Sequence, residues 1–201
     1  MKRLIFLIGF IGIFLQGCAQ PTQDSWNNGI EWSRTYIGGI YSEFLQQPLM
    51  VSYIVECIEG DVSRSSMEFY TDDYIQTSDD ADYYKNEWDK GHMAPAADFK
   101  CDELAMYETF TYLNCALQHE QLNRTTWKYL EEFERDLTQF GDVSVYIEID
   151  FDETPIRVPG GAAIPRGFYK QIQVGNQLYC YWFPNMAPVS KDFRDYECEC
   201  R

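Results

Sequence analysis

Two histidines, His92 and His119, are the only imidazoles in the chain. His92 sits in the stretch DKGHMAPAADF (Asp89 to Phe99), with an aspartate, a lysine and a glycine just before it. An imidazole of ordinary pKa, near 6.5, is available as a neutral base at physiological pH and can take a proton from water. Upstream lies Arg64, whose planar guanidinium suits a phosphate. Downstream, Asn123 and Glu131 stand eight residues apart. Each of these has an ordinary structural alternative. A lone histidine is more often a core residue than a base, Asn123 could cap a helix, Glu131 could face solvent, and Arg64 could be half of a surface ion pair.

The Asp89–Phe99 stretch resembles the signature of the DNA/RNA non-specific endonuclease family, usually written DRGH followed by a similar A-P-x-x-D segment. Residues 109–131 (TFTYLNCALQHEQLNRTTWKYLE) resemble that family's metal-bearing stretch, and the two blocks together are highly specific. VSYIV followed by Arg64, IPRGFYK, and Phe183–Pro184–Asn185 are weaker matches, and the whole resemblance spans roughly residues 35 to 195. It implies metal-dependent hydrolysis of phosphodiester bonds in DNA and RNA without sequence preference, leaving 5′-phosphate ends. His92 would be the general base. Asn123 would be the one direct protein ligand to Mg²⁺, with Mn²⁺ as the other candidate ion. Glu131 would orient the ion's waters, and Arg64 would grip the scissile phosphate. Asp89 and Lys90 occupy the first two signature positions, and Asn114 and Gln118 match supporting polar positions. His119 matches no catalytic position and is read as structural. Lys90 departs from the family's usual arginine, so a point charge remains where a bidentate fork is expected.

On a regular helix, eight residues from Asn123 to Glu131 give about 12 Å of rise and an offset of about 80°. No single ion then binds both side chains directly, and a metal-bound water has to close the gap.

The elements that must hold these residues are partly legible. MVSYIVECI (Met50 to Ile58) reads as a buried strand and VSVYIEI (Val143 to Ile149) as an alternating one. Phe168–Val174 and Gln177–Phe183 read as two strands joined at Gly175–Asn176. From Leu122 to Phe140, Trp127, Leu130, Phe133, Leu137 and Phe140 recur at helical spacing, and Gly141 supplies a stop. Residues 85–100 contain Gly91 and Pro95 and are not one regular helix, and the acid-rich stretch Asp61 to Asp82 reads as a solvated loop. The expected class is α+β: a mixed or antiparallel sheet with flanking helices and a ββα-metal motif, in which two strands carry His92 and the following helix carries Asn123.

The 201 residues leave room for one domain, placed at 35–201 after a signal peptide (1–18) and a tether and N-terminal segment (19–34). Lys2 and Arg3, an apolar run from Leu4 to Leu15, and Gly17–Cys18 resemble a bacterial lipoprotein signal, with Cys18 as the lipidated residue. The implied location is an anchored, periplasmic or extracellular one. In an oxidising compartment the other six cysteines, Cys57, Cys101, Cys115, Cys180, Cys198 and Cys200, favour disulfides over a zinc site. The net charge of −16, which becomes −18 once residues 1–17 are removed, is unusual for a protein that meets phosphate backbones. It keeps two rivals open: a catalytically degenerate nucleic-acid-binding lipoprotein, and a cell-surface interaction domain.

Overall fold

The computed structural model describes residues 29–55 and 58–201. The expected signal peptide with Cys18, the tether up to residue 28, and Cys57 lie outside the described residues.

Among the described residues, eight strands form two sheets. The larger has the order β1 (Ile30–Ser33), β2 (Ile37–Ser42), β3 (Gln47–Ile54), β6 (Val143–Asp150), β7 (Gly167–Val174) and β8 (Gln177–Pro184). The smaller pairs β4 (Trp88–His92) with β5 (Cys115–His119). Every strand pairing in both sheets is antiparallel, which narrows the expected mixed or antiparallel sheet to the second form. Three of the large strands fall where alternation and β-branched residues place them. The turn between β7 and β8 uses Gly175 at φ +55°, a conformation glycine adopts without steric cost. β1 lies inside the stretch read as tether and N-terminal segment, because its Trp32 is buried against the sheet.

Short helix α1 (Glu103–Glu108) follows the His92 loop. After β5 the chain continues through α2 (Glu120–Leu122), a π-helical segment Asn123–Trp127, and α3 (Lys128–Leu137). Trp127 is the anchor. Fully buried, its ring lies 5.5 Å from Phe168 and 5.6 Å from Phe183, which fastens the helix to β7 and β8. Leu130 and Leu137 follow it onto the sheet, while Lys128 and Glu132 point outward. The regular helix expected over 122–140 is therefore interrupted. Thr125 Oγ1 bonds the Gln121 carbonyl and Thr126 Oγ1 bonds the Ser190 carbonyl, and such competing side-chain bonds widen a helical turn.

Beneath α3 lies a buried charged layer. Lys170 Nζ stands 2.6 Å from Glu134 Oε2, both side chains sealed from solvent, and Tyr53 donates to Glu134 Oε1 at 2.8 Å. Arg135 reaches Asp98 at 2.8 Å. Burial of this kind costs a great deal unless the groups are paired, so the layer holds α3 in one position on the sheet.

The cysteines behave less uniformly than expected. Cys180 and Cys200 form a disulfide with each other, and Cys101 and Cys198 each belong to a separate disulfide. Cys115 is a free, buried thiol on β5, beside the Tyr83 hydroxyl at 3.3 Å, and burial pushes its pKa up to about 12. The preference for disulfides does not extend to that position: among the described residues Cys115 is the free cysteine, enclosed in the core.

Candidate active site

The β4–β5 hairpin brings the signature residues into register. His92 pairs with Cys115 and Asp89 with Gln118, so the imidazole ends one strand and the polar supports line the other. Gly91 between them has to be glycine: a Cβ there would stand 2.6 Å from Gln118 Cβ. Gln118 itself is fully buried, and among the described residues its amide makes no hydrogen bond. Asn114 ties down the turn after His92. Its Nδ2 donates to the Ala94 and Thr109 carbonyls and its Oδ1 accepts from the Ala94 amide, all at 2.9 Å. Asn185 fixes the hairpin to the large sheet through the His119 amide and the Leu117 carbonyl.

A cavity of about 410 Å³ opens at this point, and Arg64, Lys90, His92, Asn123 and Glu131 all line it. The His92 ring lies 4.7 Å from Phe69 and 4.9 Å from Phe110. Its Nε2 is buried with no hydrogen-bond partner among the described residues. Burial first, and the Arg64 charge second, push its pKa down to about 3, so the ring is neutral throughout the physiological range.

Asn123 is not the helix cap of the ordinary alternative. That role belongs to His119, whose Nδ1 accepts from the Gln121 amide at 3.2 Å. Asn123 begins the π-helical segment, and its Nδ2 donates to Asp89 Oδ2 at 2.9 Å. Arg124 grips the same carboxylate through Nε at 2.9 Å and Nη2 at 2.6 Å. Asp89 therefore fixes the amide of Asn123 and leaves its oxygen free for another ligand. This is the tertiary role of the signature aspartate.

Lys90 is held as well. Its ammonium pairs with Asp80 and lies 5.2 Å from the Phe69 ring centre and 5.5 Å from that of Tyr112. Asp80 in turn accepts from the Tyr112 hydroxyl, and these two donors hold its carboxyl below the usual range. The acidic loop thus contributes a partner to the cavity and is more than a solvated surface. Asp80, Arg124 and the two phenylalanine walls were not foreseen from sequence. Arg124 carried a faint signal in its place directly after Asn123; Asp80 carried none.

The donor set fits a hard, largely hydrated cation. An amide oxygen and a carboxylate face one cavity, and among the described residues no group of three or more His, Cys, Asp and Glu side chains could enclose an ion. Desolvation raises the Glu131 carboxyl to about 7, with Glu134 adding to the rise and Lys170 and Arg135 opposing it. A cation needs that carboxyl ionised. Metal affinity is therefore expected to rise with pH through 7, by up to about tenfold between pH 6 and pH 8. Isothermal titration with Mg²⁺ at the two pH values checks this, and a pH-independent affinity would contradict it.

A family model described as DNA/RNA non-specific endonuclease matches residues 22–201, nearly all of the chain. The chain belongs to this family. Among its relatives is mitochondrial endonuclease G of Bos taurus, 32% identical over 123 residues, which are 60% of this chain and 40% of that protein. Another is nuclease C1 of Cunninghamella echinulata var. echinulata, 37% identical over 128 residues, 55% of this chain and 51% of that one. A chain of the crystal structure of the EndoG/EndoGI complex superposes with a TM-score of 0.73 at 25% identity, covering 84% of this chain and 80% of its own. This endonuclease-family chain matches at most about half the length of either curated relative.

Proposed function

We propose that the protein hydrolyses phosphodiester bonds in DNA and RNA without sequence preference, in a metal-dependent reaction that leaves 5′-phosphate ends. The observation that carries this is the shared cavity: the neutral imidazole of His92 lines the same space as Asn123, Glu131 and Arg64. Arg64 binds the scissile phosphate through its planar fork, and Lys90 adds a fixed point charge beside it. His92 takes the proton from the attacking water, its ring kept in place by Phe69 and Phe110. A hard divalent ion, Mg²⁺ or Mn²⁺, would be held by the Asn123 oxygen with Glu131 orienting its waters, and when bound it supplies charge compensation at the phosphate and the leaving oxygen.

The test is digestion of plasmid DNA and of RNA by the purified protein with Mg²⁺, with and without chelator. Degradation that the chelator abolishes is the expected result. Intact substrate with a gel shift would instead favour the degenerate binder, and neither effect would favour the interaction domain.

We also propose export with lipidation at Cys18, resting on the Lys2–Arg3 start, the Leu4–Leu15 apolar run and Gly17–Cys18. A Cys18→Ala variant should leave the membrane fraction on cell fractionation, and full membrane retention would refute the anchor.

A further inference from the structure

We propose that a nucleic-acid strand is gripped on one side of the scissile phosphate only, by a short cationic groove in which Lys100 and Lys128 bind successive backbone phosphates. This rests on the nuclease assignment and extends it to how the substrate lies. Two recesses adjoin the catalytic cavity, and their charges are opposite. One, of about 670 Å³, shares Arg64, Asn123 and Glu131 with the cavity and continues past Lys100, Arg124 and Lys128. Among the described residues its only acidic lining residue is Glu131. The other, of about 870 Å³, joins the cavity at Phe69 and is lined by Glu68, Asp102 and Glu103 with no lysine or arginine.

Pairing decides which cations are free to meet phosphate. Arg124 is occupied by Asp89 and Glu120, and Arg135, at the groove's inner wall, by Asp98. Among the described residues, Arg64 and Lys100 have no carboxylate within ion-pair distance. Lys128 has only Glu132, at 3.6 Å between two largely exposed side chains, a contact that contributes little. Three available cations, Arg64, Lys100 and Lys128, thus line this groove, in a chain whose net charge is −16. Screening over roughly 8 Å at physiological salt lets this local patch act against the total. A strand leaving by the other recess meets three carboxylates, and its phosphates are repelled there. Neutralising about three phosphates on a single strand gives a slope of log affinity against log salt near −2, and losing both lysines removes about 1.4 of it.

Two single-stranded DNA oligonucleotides test this. One carries neutral methylphosphonate linkages throughout its 5′ half and ordinary linkages in its 3′ half; the other is the reverse. The ordinary bond at the boundary has charged neighbours on one side only, and that side differs between the two. The wild type should cut the boundary bond at least about tenfold faster in one oligonucleotide than in the other. The double variant Lys100→Gln, Lys128→Gln, checked for an unchanged unfolding midpoint, should lose most of that ratio through a raised KM, and Lys→Arg at both positions should restore it. Equal cutting of both boundary bonds by the wild type would overturn one-sided gripping. An undiminished ratio in the folded double variant would overturn its assignment to these lysines. Failure of the wild type to cut ordinary DNA at all is a different result, and it would count against the nuclease assignment itself.

Discussion

Replacing His92 with alanine is expected to lower kcat at saturating Mg²⁺ by at least about 10²-fold, as for loss of a positioned general base. The protein should stay folded, because the ring sits on the rim of a cavity whose walls, Phe69 and Phe110, remain. Far-UV circular dichroism and an unfolding curve separate lost chemistry from lost structure, and turnover close to wild type in the folded variant would refute the role. The low pKa of the ring, about 3, adds a signature. Since burial and Arg64 both disfavour the imidazolium, the acid limb of kcat/KM at saturating metal should fall below 6.5. An incoming phosphate offsets the Arg64 charge, so the limb seen in kcat should lie higher than that in kcat/KM. A limb in kcat/KM at or above 6.5 would contradict the described environment. The native ring stays neutral down to about 3 while an unfolded one protonates near 6.5, so the contribution of this one group to stability is full above 6.5 and is lost as pH drops toward 3.

Asn123→Ala is expected to raise the Mg²⁺ concentration needed for half-maximal activity by roughly 10- to 100-fold or more, the scale on which even indirect ligand supports act. The variant removes the one amide oxygen that the Asp89 contact leaves free, while Asp89 and Arg124 keep their own pairing. Activity should return partly at high Mg²⁺. An unchanged metal titration would place the ion elsewhere. Asn123→Asp is an informative contrast. It sets a second carboxylate where the amide nitrogen now lies 2.9 Å from Asp89, so like-charge repulsion should keep it from replacing asparagine cleanly.

Much of the site was legible as spacing, but its geometry was not. A regular helix from Leu122 already set Asn123 and Glu131 on one side with a water-sized gap to close, and both do line one cavity; the π-helical segment that begins at Asn123 was not legible. The cause is a pair of threonine hydroxyls bonding carbonyls at Gln121 and Ser190, and only the first of these is local in sequence. The total charge pointed away from a phosphate-binding protein, whereas the arrangement of Arg64, Lys100 and Lys128 points toward one, because screening makes charge a local property. The cysteine count favoured disulfides, yet among the described residues Cys115 is a free thiol enclosed on β5.

Sequence alone supplied the candidate residues Arg64, His92, Asn123 and Glu131 that line one cavity, the α3 core stripe of Trp127, Leu130 and Leu137, and the β7–β8 hairpin at Gly175. The stripe and the hairpin depend on side-chain type and periodicity over a few residues, which neighbours along the chain impose, whereas the candidate site residues came from the family resemblance. Only the tertiary structure decided that Asp89 holds Asn123, that Asp80 holds Lys90, and that one recess beside the cavity is cationic and the other acidic. Asp89 and Asn123 are 34 residues apart, and contact at such separations is set by how the hairpin and helix pack on the sheet, which no local pattern encodes.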